Sequence, residues 1–150
     1  MSSGPSLKIR ALDCLARREH SRLELEKKLA PYARTHDELS SVLDSLEQIG
    51  LLSAERMVEQ VVHVRRSKFG SRRIVHELQQ KGIDEDLIAA ALPGLKETEL
   101  KTARAVWQKK FGTAPASAKE RAKQIRFLMG RGFSTEIIMQ VLYAWDEECD

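Results

Sequence analysis

Four histidines and two cysteines are the residues best suited to ligate a metal or attack a substrate, and their spacing gives them no shared task. His20, His36, His63 and His76 occur singly, with no HExxH pair and no carboxylate at ligand spacing. Cys14 and Cys149 lie near opposite ends without a C-x-x-C or Cys/His pattern. They read as reduced thiols, not as a disulfide framework or a zinc site. No Gly-rich phosphate loop, GxSxG elbow or Asp-rich calcium loop occurs. The expectation is a protein that is not an enzyme and uses no cofactor or metal.

The chemistry that does stand out is cationic. The window "RRSKFGSRRIVHELQQKGI", residues 65 to 83, sets Arg65, Arg66, Lys68, Arg72, Arg73 and Lys81 against Glu77 alone. From Lys101 to Arg131 nine basic residues face only Glu120, whereas residues 1–50 balance at eight of each sign. The net charge of +3 therefore conceals a segregated field that a polyanion or an acidic protein surface would feel. The candidate contact residues are the six of the middle window, with Lys109, Lys110, Lys119, Lys123, Arg126 and Arg131 toward the C-terminus.

These cations must be carried by helices. Apolar residues recur at steps of three and four, as in Leu39, Val42, Leu43, Leu46 and Ile49, and in Met57, Val58, Val61 and Val62. "VVHV" could pass for a strand but lies within the helical period. Pro31, Gly50, Gly70, Gly82, Pro93-Gly94 and Gly112 are expected to close helices. Ser53, Ser71, Asp84 and Ser134 stand at expected N-caps. Nine helices follow, at 7–18, 21–30, 36–49, 54–69, 72–81, 85–92, 96–111, 118–131 and 135–147. With 150 residues and 42% hydrophobic composition the chain can fold, and no apolar run is long enough to span a bilayer. The opening "MSSGPSLKIR" lacks the apolar core of a secretory signal, so the expected location is the cytoplasm.

The chain also repeats. "ELQQKGIDEDLIAAAL" aligns without a gap on "FLMGRGFSTEIIMQVL" fifty residues later, pairing Leu78 with Leu128, Gly82 with Gly132 and Ile83 with Phe133. Lys68-Phe69-Gly70 recurs as Lys110-Phe111-Gly112, and extra residues from "TAPASAKE" lengthen the later copy. The first third is a weaker copy. The predicted fold is all-α: three tandem three-helix repeats, at 1–52, 53–94 and 95–150, stacked into an elongated curved body. Ile74, Leu78, Ile83, Leu128 and Phe133 are assigned to its core.

The helix pairs resemble helix-turn-helix units, but their second helices are poor readers of bases. "DEDLIAAAL" opens with three acids, and "STEIIMQVL" is mostly apolar. Trp107 with Phe111, and Tyr143 near Trp145, have the chemistry to stack on bases, though Trp107 and Phe111 are better explained as core neighbours one turn apart. Cations on helix faces suit contact with a phosphate backbone or an acidic protein groove.

The segments "HSRLELEKKL", "IGLLSAERMVEQVVHVRRSKFGSRRIVHELQQKGI" and "KQIRFLMGRGFSTEIIMQVL" closely resemble the RecX family of bacterial regulatory proteins. The likeness runs from about Leu7 to Trp145. The chain departs from the family pattern at Ser53, Ala54, Glu55 and Met57, where an acidic pair and an aromatic are usual, and at Ser71-Arg72, where Gly-Pro is common. The resemblance implies three tandem three-helix repeats and binding to the RecA recombinase and its filament on single-stranded DNA. It further implies restraint of filament growth, ATP hydrolysis, strand exchange and LexA cleavage, and so a role in the SOS response, recombination and DNA repair. Direct binding of DNA is a further implied contact, and a DNA-binding helical module acting without RecA is the alternative. The expected state is a monomer.

Overall fold

Helix starts follow the side chains that can satisfy orphan amides. Ser6, Ser21, Thr35, Ser53 and Ser117 each accept a hydrogen bond from the backbone N–H three residues on. Ser134 does the same for Ile137 at 3.3 Å, and Asp84 accepts from Asp86. In the computed structural model, which describes the backbone of residues 4–148 and the side chains of residues 4–143, these caps open an all-helical chain. Its helices are α1 (Leu7–Arg17), α2 (Arg22–Leu29), α3 (His36–Gln48), α4 (Ala54–Arg65), α5 (Ser71–Gln80), α6 (Glu85–Lys110), α7 (Ala118–Gly130) and α8 (Thr135–Glu148). A 3₁₀ turn at Ala30–Tyr32 extends α2, and "VVHV" lies within α4. Cys149 and the side chains of Trp145 and of the acidic C-terminal tail lie outside the described residues.

Expectations about boundaries need correction at Pro93-Gly94 and at Gly70-Ser71. Pro93-Gly94 does not end a helix: the predicted helices 85–92 and 96–111 are one, α6, with Pro93 inside it. An interior proline costs about 3 kcal/mol relative to alanine, yet this helix is held on both sides of the break. Its buried residues Ile88, Leu95, Glu99, Ala103 and Trp107 lie on one stripe, so packing along the whole length outweighs the local penalty. Ser71 is likewise not an N-cap. Gly70 holds that position without a side-chain cap, and Ser71 is the first helical residue.

Three apolar clusters divide the core. The first gathers Leu7, Ala11, Leu25, Leu29, Leu39, Leu43, Leu46 and Leu52 from α1 to α3 and the turn after them. The second joins α4 and α5 to the N-terminal half of α6 through Met57, Val61, Ile74, Leu78, Ile83, Ile88 and Leu95. The third joins the other half of α6 to α7 and α8 through Ala103, Trp107, Leu128, Phe133, Ile138, Val141 and Leu142. The five residues assigned to the core are all buried. α6 is thus the spine of two clusters at once.

The repeat is visible in the turns. Gly82 and Gly132 have φ of +74° and +91°, a region other residues enter at a cost. The Ile83 N–H donates to the Leu78 carbonyl at 3.1 Å, and Phe133 donates to Leu128 at 3.2 Å. Both residues then turn into the core. The shared Lys-Phe-Gly motif is less faithful: Gly112 has φ of +72°, whereas Gly70 has −81° and starts a helix instead of ending one. Gly70 is small for another reason. A methyl group on it would collide with the Gly132 carbonyl.

Candidate partner-binding face

The cations can only be weighed once the junctions that hold them are clear. Between the second and third clusters the N-terminus of α5 meets the α7–α8 turn. Gly70 N–H donates to the Arg131 carbonyl at 2.8 Å and Arg72 N–H to the Gly132 carbonyl at 3.1 Å. A third orphan amide, that of Ser71, donates to Glu99 Oε1 at 3.2 Å, and the Ser71 hydroxyl lies 3.1 and 3.0 Å from the two carboxylate oxygens. Glu99 is buried, at 5% exposure. A negative group beside a helix N-terminus is favoured by the helix dipole as well as by these hydrogen bonds. The carboxylate of one helix therefore caps another, a role that charge counting alone missed.

Beside this junction lies a stack of rings and guanidinium groups. Arg73 sits 4.1 Å from the centre of the Phe69 ring, with Arg131 at 5.3 Å and Arg65 at 5.8 Å. Arg131 also lies 5.2 Å from the Phe127 ring, Lys110 lies 5.4 Å from it, and Phe111 meets it edge-on. Arg73 donates to the Gly130 carbonyl at 3.2 Å and Arg65 pairs with Glu77 at 3.0 Å. Arg65, Arg73 and Arg131 thus brace the fold as well as present charge.

The predicted contact residues fall into separate groups. Lys68, Lys109, Lys110 and Arg131 converge from the ends of α4, α6 and α7 around a cleft of about 550 Å³, whose remaining lining is Ser67, Ala105, Val106 and Phe127. Lys119, Lys123 and Arg126 form an exposed stripe along α7, at helical spacing. Arg66 donates to the Thr98 hydroxyl at 3.0 Å. Arg72 is exposed but opens on a different hollow, with Lys96, Glu99 and Glu136. Trp107, buried at 3%, donates its indole N–H to Gln124 at 2.8 Å. Gln124 in turn donates to the Thr113 carbonyl and so ties down the lengthened link.

Lys81 sits apart, at the junction of the first and second clusters. It pairs with Glu24 at 3.2 Å, and Arg18 pairs with the same carboxylate at 2.8 Å. Burial alone would push the Glu24 pKa up, but Arg18, the Ser21 N–H and Lys81 outweigh it and hold the carboxyl at about 2. His20 nearby is buried, with its ring nitrogens 2.9 Å from the Arg18 carbonyl and from the Lys28 ammonium. Burial, with the Arg18 and Lys28 charges, lowers its pKa. Arg56 fastens the same junction, reaching Glu19 at 2.7 Å and the Gly50 carbonyl at 2.7 Å. Arg22 is consumed within the first cluster by Glu26, Asp44 and Glu47.

The electrostatic contrast is plain. Among the described residues, the ion pairs all involve cations of the first two clusters, and none falls within residues 95–143. Lys68, Arg72, Lys109, Lys119, Lys123 and Arg126 make no ion pair with a described residue and are exposed. Among the described residues, no group of three His, Cys, Asp or Glu is placed to hold a metal, and no helix is long and apolar enough to cross a membrane.

Known proteins share this architecture. Residues 55–92 match the family model described as "RecX, second three-helix domain" and residues 97–142 match "RecX, third three-helix domain". "Regulatory protein RecX" of Leptothrix cholodnii is 51% identical over 145 residues, which cover 97% of this chain and 92% of that protein. The chain belongs to the RecX family. "Regulatory protein RecX" of Chromobacterium violaceum is 46% identical, covering 94% of this chain and 91% of its own length. The crystal structure of RecX from Lactobacillus salivarius superposes with a TM-score of 0.79 at 21% identity, covering 94% of this chain and 95% of that one. That RecX structure shares the fold; the closer relatives are named as regulatory proteins.

Proposed function

We propose that this chain binds the RecA recombinase and its filament on single-stranded DNA and restrains it, lowering filament growth, ATP hydrolysis, strand exchange and LexA cleavage. The three repeats act as one continuous body whose role is to bind. The observation that carries this reading is the set of exposed cations on the second and third clusters with no described acid paired to them, in a member of the RecX family. A filament loaded with single-stranded DNA offers both phosphates and acidic protein surface to such a face. Membership of a family named for regulation, and not for a reaction, supports a binding role.

RecA ATPase on single-stranded DNA, titrated with the chain, tests it directly. Inhibition is expected for the wild type. The exposed α7 stripe supplies the variant, because Lys119 and Arg126 are not tied into the junctions. Lys119→Glu with Arg126→Glu should raise the inhibitory concentration about tenfold, the size of a 1.4 kcal/mol loss, while helicity stays unchanged. No inhibition by the wild type, or full inhibition by that variant, contradicts the reading. Binding to DNA as tight without RecA as with it would favour the independent DNA-binding module instead.

A further inference from the structure

We propose that the cleft between the ends of α4, α6 and α7 receives an acidic segment of a protein partner, seated by one aliphatic side chain, and not a nucleic-acid backbone. This rests on the reading of the chain as a filament binder and names the chemistry engaged at one place on it. The first argument is charge. Lys68, Lys109, Lys110 and Arg131 reach the cleft from three different elements, and among the described residues no carboxylate lines it. A concave site with one sign of charge and apolar walls concentrates field lines on whatever anion enters. Lys68 and Lys109 have no described ion-pair partner, so their ammonium groups swing on flexible stems to meet carboxylates.

The second argument is the floor. Val106 and Phe127 are only half-buried and form the apolar base of the cleft. A sugar–phosphate backbone brings its deoxyribose carbons to a surface only beside hydrated phosphates, whereas a Leu or Ile between two acids would cover it with an unbroken aliphatic side chain. Stacking of a base is the obvious alternative, since single-strand binders use aromatic platforms. Here the Phe127 ring is already engaged by Lys110, Arg131 and the edge of Phe111, so a base would have to displace them. The third argument is shape. The four cations line a single recess of about 550 Å³, room for a few side chains.

The test uses fluorescence anisotropy of the full chain with three labelled probes: a short peptide of alternating Glu and Leu, the same peptide with Gln for Glu, and an oligo-dT of equal charge. The Glu–Leu peptide should bind in a salt-sensitive way and the Gln peptide at least tenfold more weakly, as expected for loss of its charge-assisted contacts. Lys68→Gln with Lys109→Gln should weaken the Glu–Leu peptide about tenfold, and the near-isosteric Val106→Thr about fivefold, since each removes roughly 1 kcal/mol or more of contact. Val106→Thr should leave oligo-dT binding unchanged. Failure of the Glu–Leu peptide to bind, peptide binding indifferent to Val106→Thr, or oligo-dT that displaces the peptide and is lost with the lysine pair each overturns the inference. Helicity and melting temperature check that both variants fold; Val106→Thr, which keeps every charge, decides the matter if the lysine pair does not. RecA ATPase separates the two levels. A wild type that does not inhibit refutes the filament reading. A wild type that inhibits, with both cleft variants inhibiting equally, refutes the cleft inference alone.

Discussion

Replacing Glu99 by alanine tests the junction that orients the cationic face. The carboxylate is 5% exposed and serves the Ser71 amide and hydroxyl at 3.0–3.2 Å. Without it, a buried N–H and O–H lose their acceptor, which costs about 1–3 kcal/mol for each. Loss of a negative charge beside a helix N-terminus adds about 0.3–1 kcal/mol. Relief of the carboxylate's own desolvation offsets part of this, so a net loss of about 3 kcal/mol is expected for Glu99→Ala. In a chain of this size that lowers the melting temperature by about 6–12 °C. Glu99→Gln keeps an acceptor oxygen and should cost about 1 kcal/mol. Glu97→Ala, at an exposed site two residues away, should stay within about 0.5 kcal/mol of wild type. Circular dichroism melts measure the totals, and hydrogen exchange at the first turn of α5 localises the damage. A double-mutant cycle with Ser71→Ala should give a coupling of about 1 kcal/mol. If Glu99→Ala melts within about 2 °C of Glu97→Ala, the cap is not a structural fastener and the reasoning fails.

Other consequences follow from the same geometry. Glu24, held at about 2 against an ordinary 4.5, contributes stability that is complete above pH 4.5 and drains away as the pH falls toward 2. With screening by solvent around the half-exposed Arg18, that contribution is about 2 kcal/mol, and acid titration of Glu24→Gln should be flatter by that amount. His20, with its pKa lowered from 6.5, adds a second loss that begins as the pH falls below about 6.5, because the unfolded chain then takes up the proton first; His20→Gln should remove that phase from a stability–pH curve. Gly70→Ala should destabilise by more than about 2 kcal/mol, as overpacking against backbone does, since its methyl would strike the Gly132 carbonyl. Gly50→Ala, with φ of +79° and open space around it, should cost only about 1 kcal/mol, and equal melting temperatures for the two variants would contradict this account. Binding through phosphates should show a log–log salt slope of about −0.7 for each single-strand phosphate neutralised, and the Lys119→Glu, Arg126→Glu variant should flatten that slope in a filament-binding titration.

Much of this was legible in the residues alone, and for a local reason. Helical class follows from apolar steps of three and four, which no strand tolerates. Caps follow from hydroxyls placed before those stripes, as at Ser53 and Ser134. The repeat follows from Gly82 and Gly132, because a left-handed turn leaves its demand for glycine in the chain wherever it recurs. Even the excess of positive charge on the later segments was countable from the letters.

What needed three dimensions was everything decided by distant neighbours. Pro93 reads locally as a stop, yet α6 continues through it because Leu95 completes one apolar cluster and Ala103 and Trp107 nucleate the next. Ser71 reads as a cap, but its acceptor is a carboxylate 28 residues away, and Gly70 is a glycine because another turn's carbonyl presses on it. The twelve candidate cations look alike in sequence. Contact with Glu24, Glu77, Phe69 and Phe127 makes Lys81, Arg65, Arg73 and Arg131 parts of the framework, while Lys68, Lys109, Lys119, Lys123 and Arg126 keep their charge for solvent. Side-chain type is written along the chain, but the partner that neutralises a charge or leaves it open is set by packing between elements.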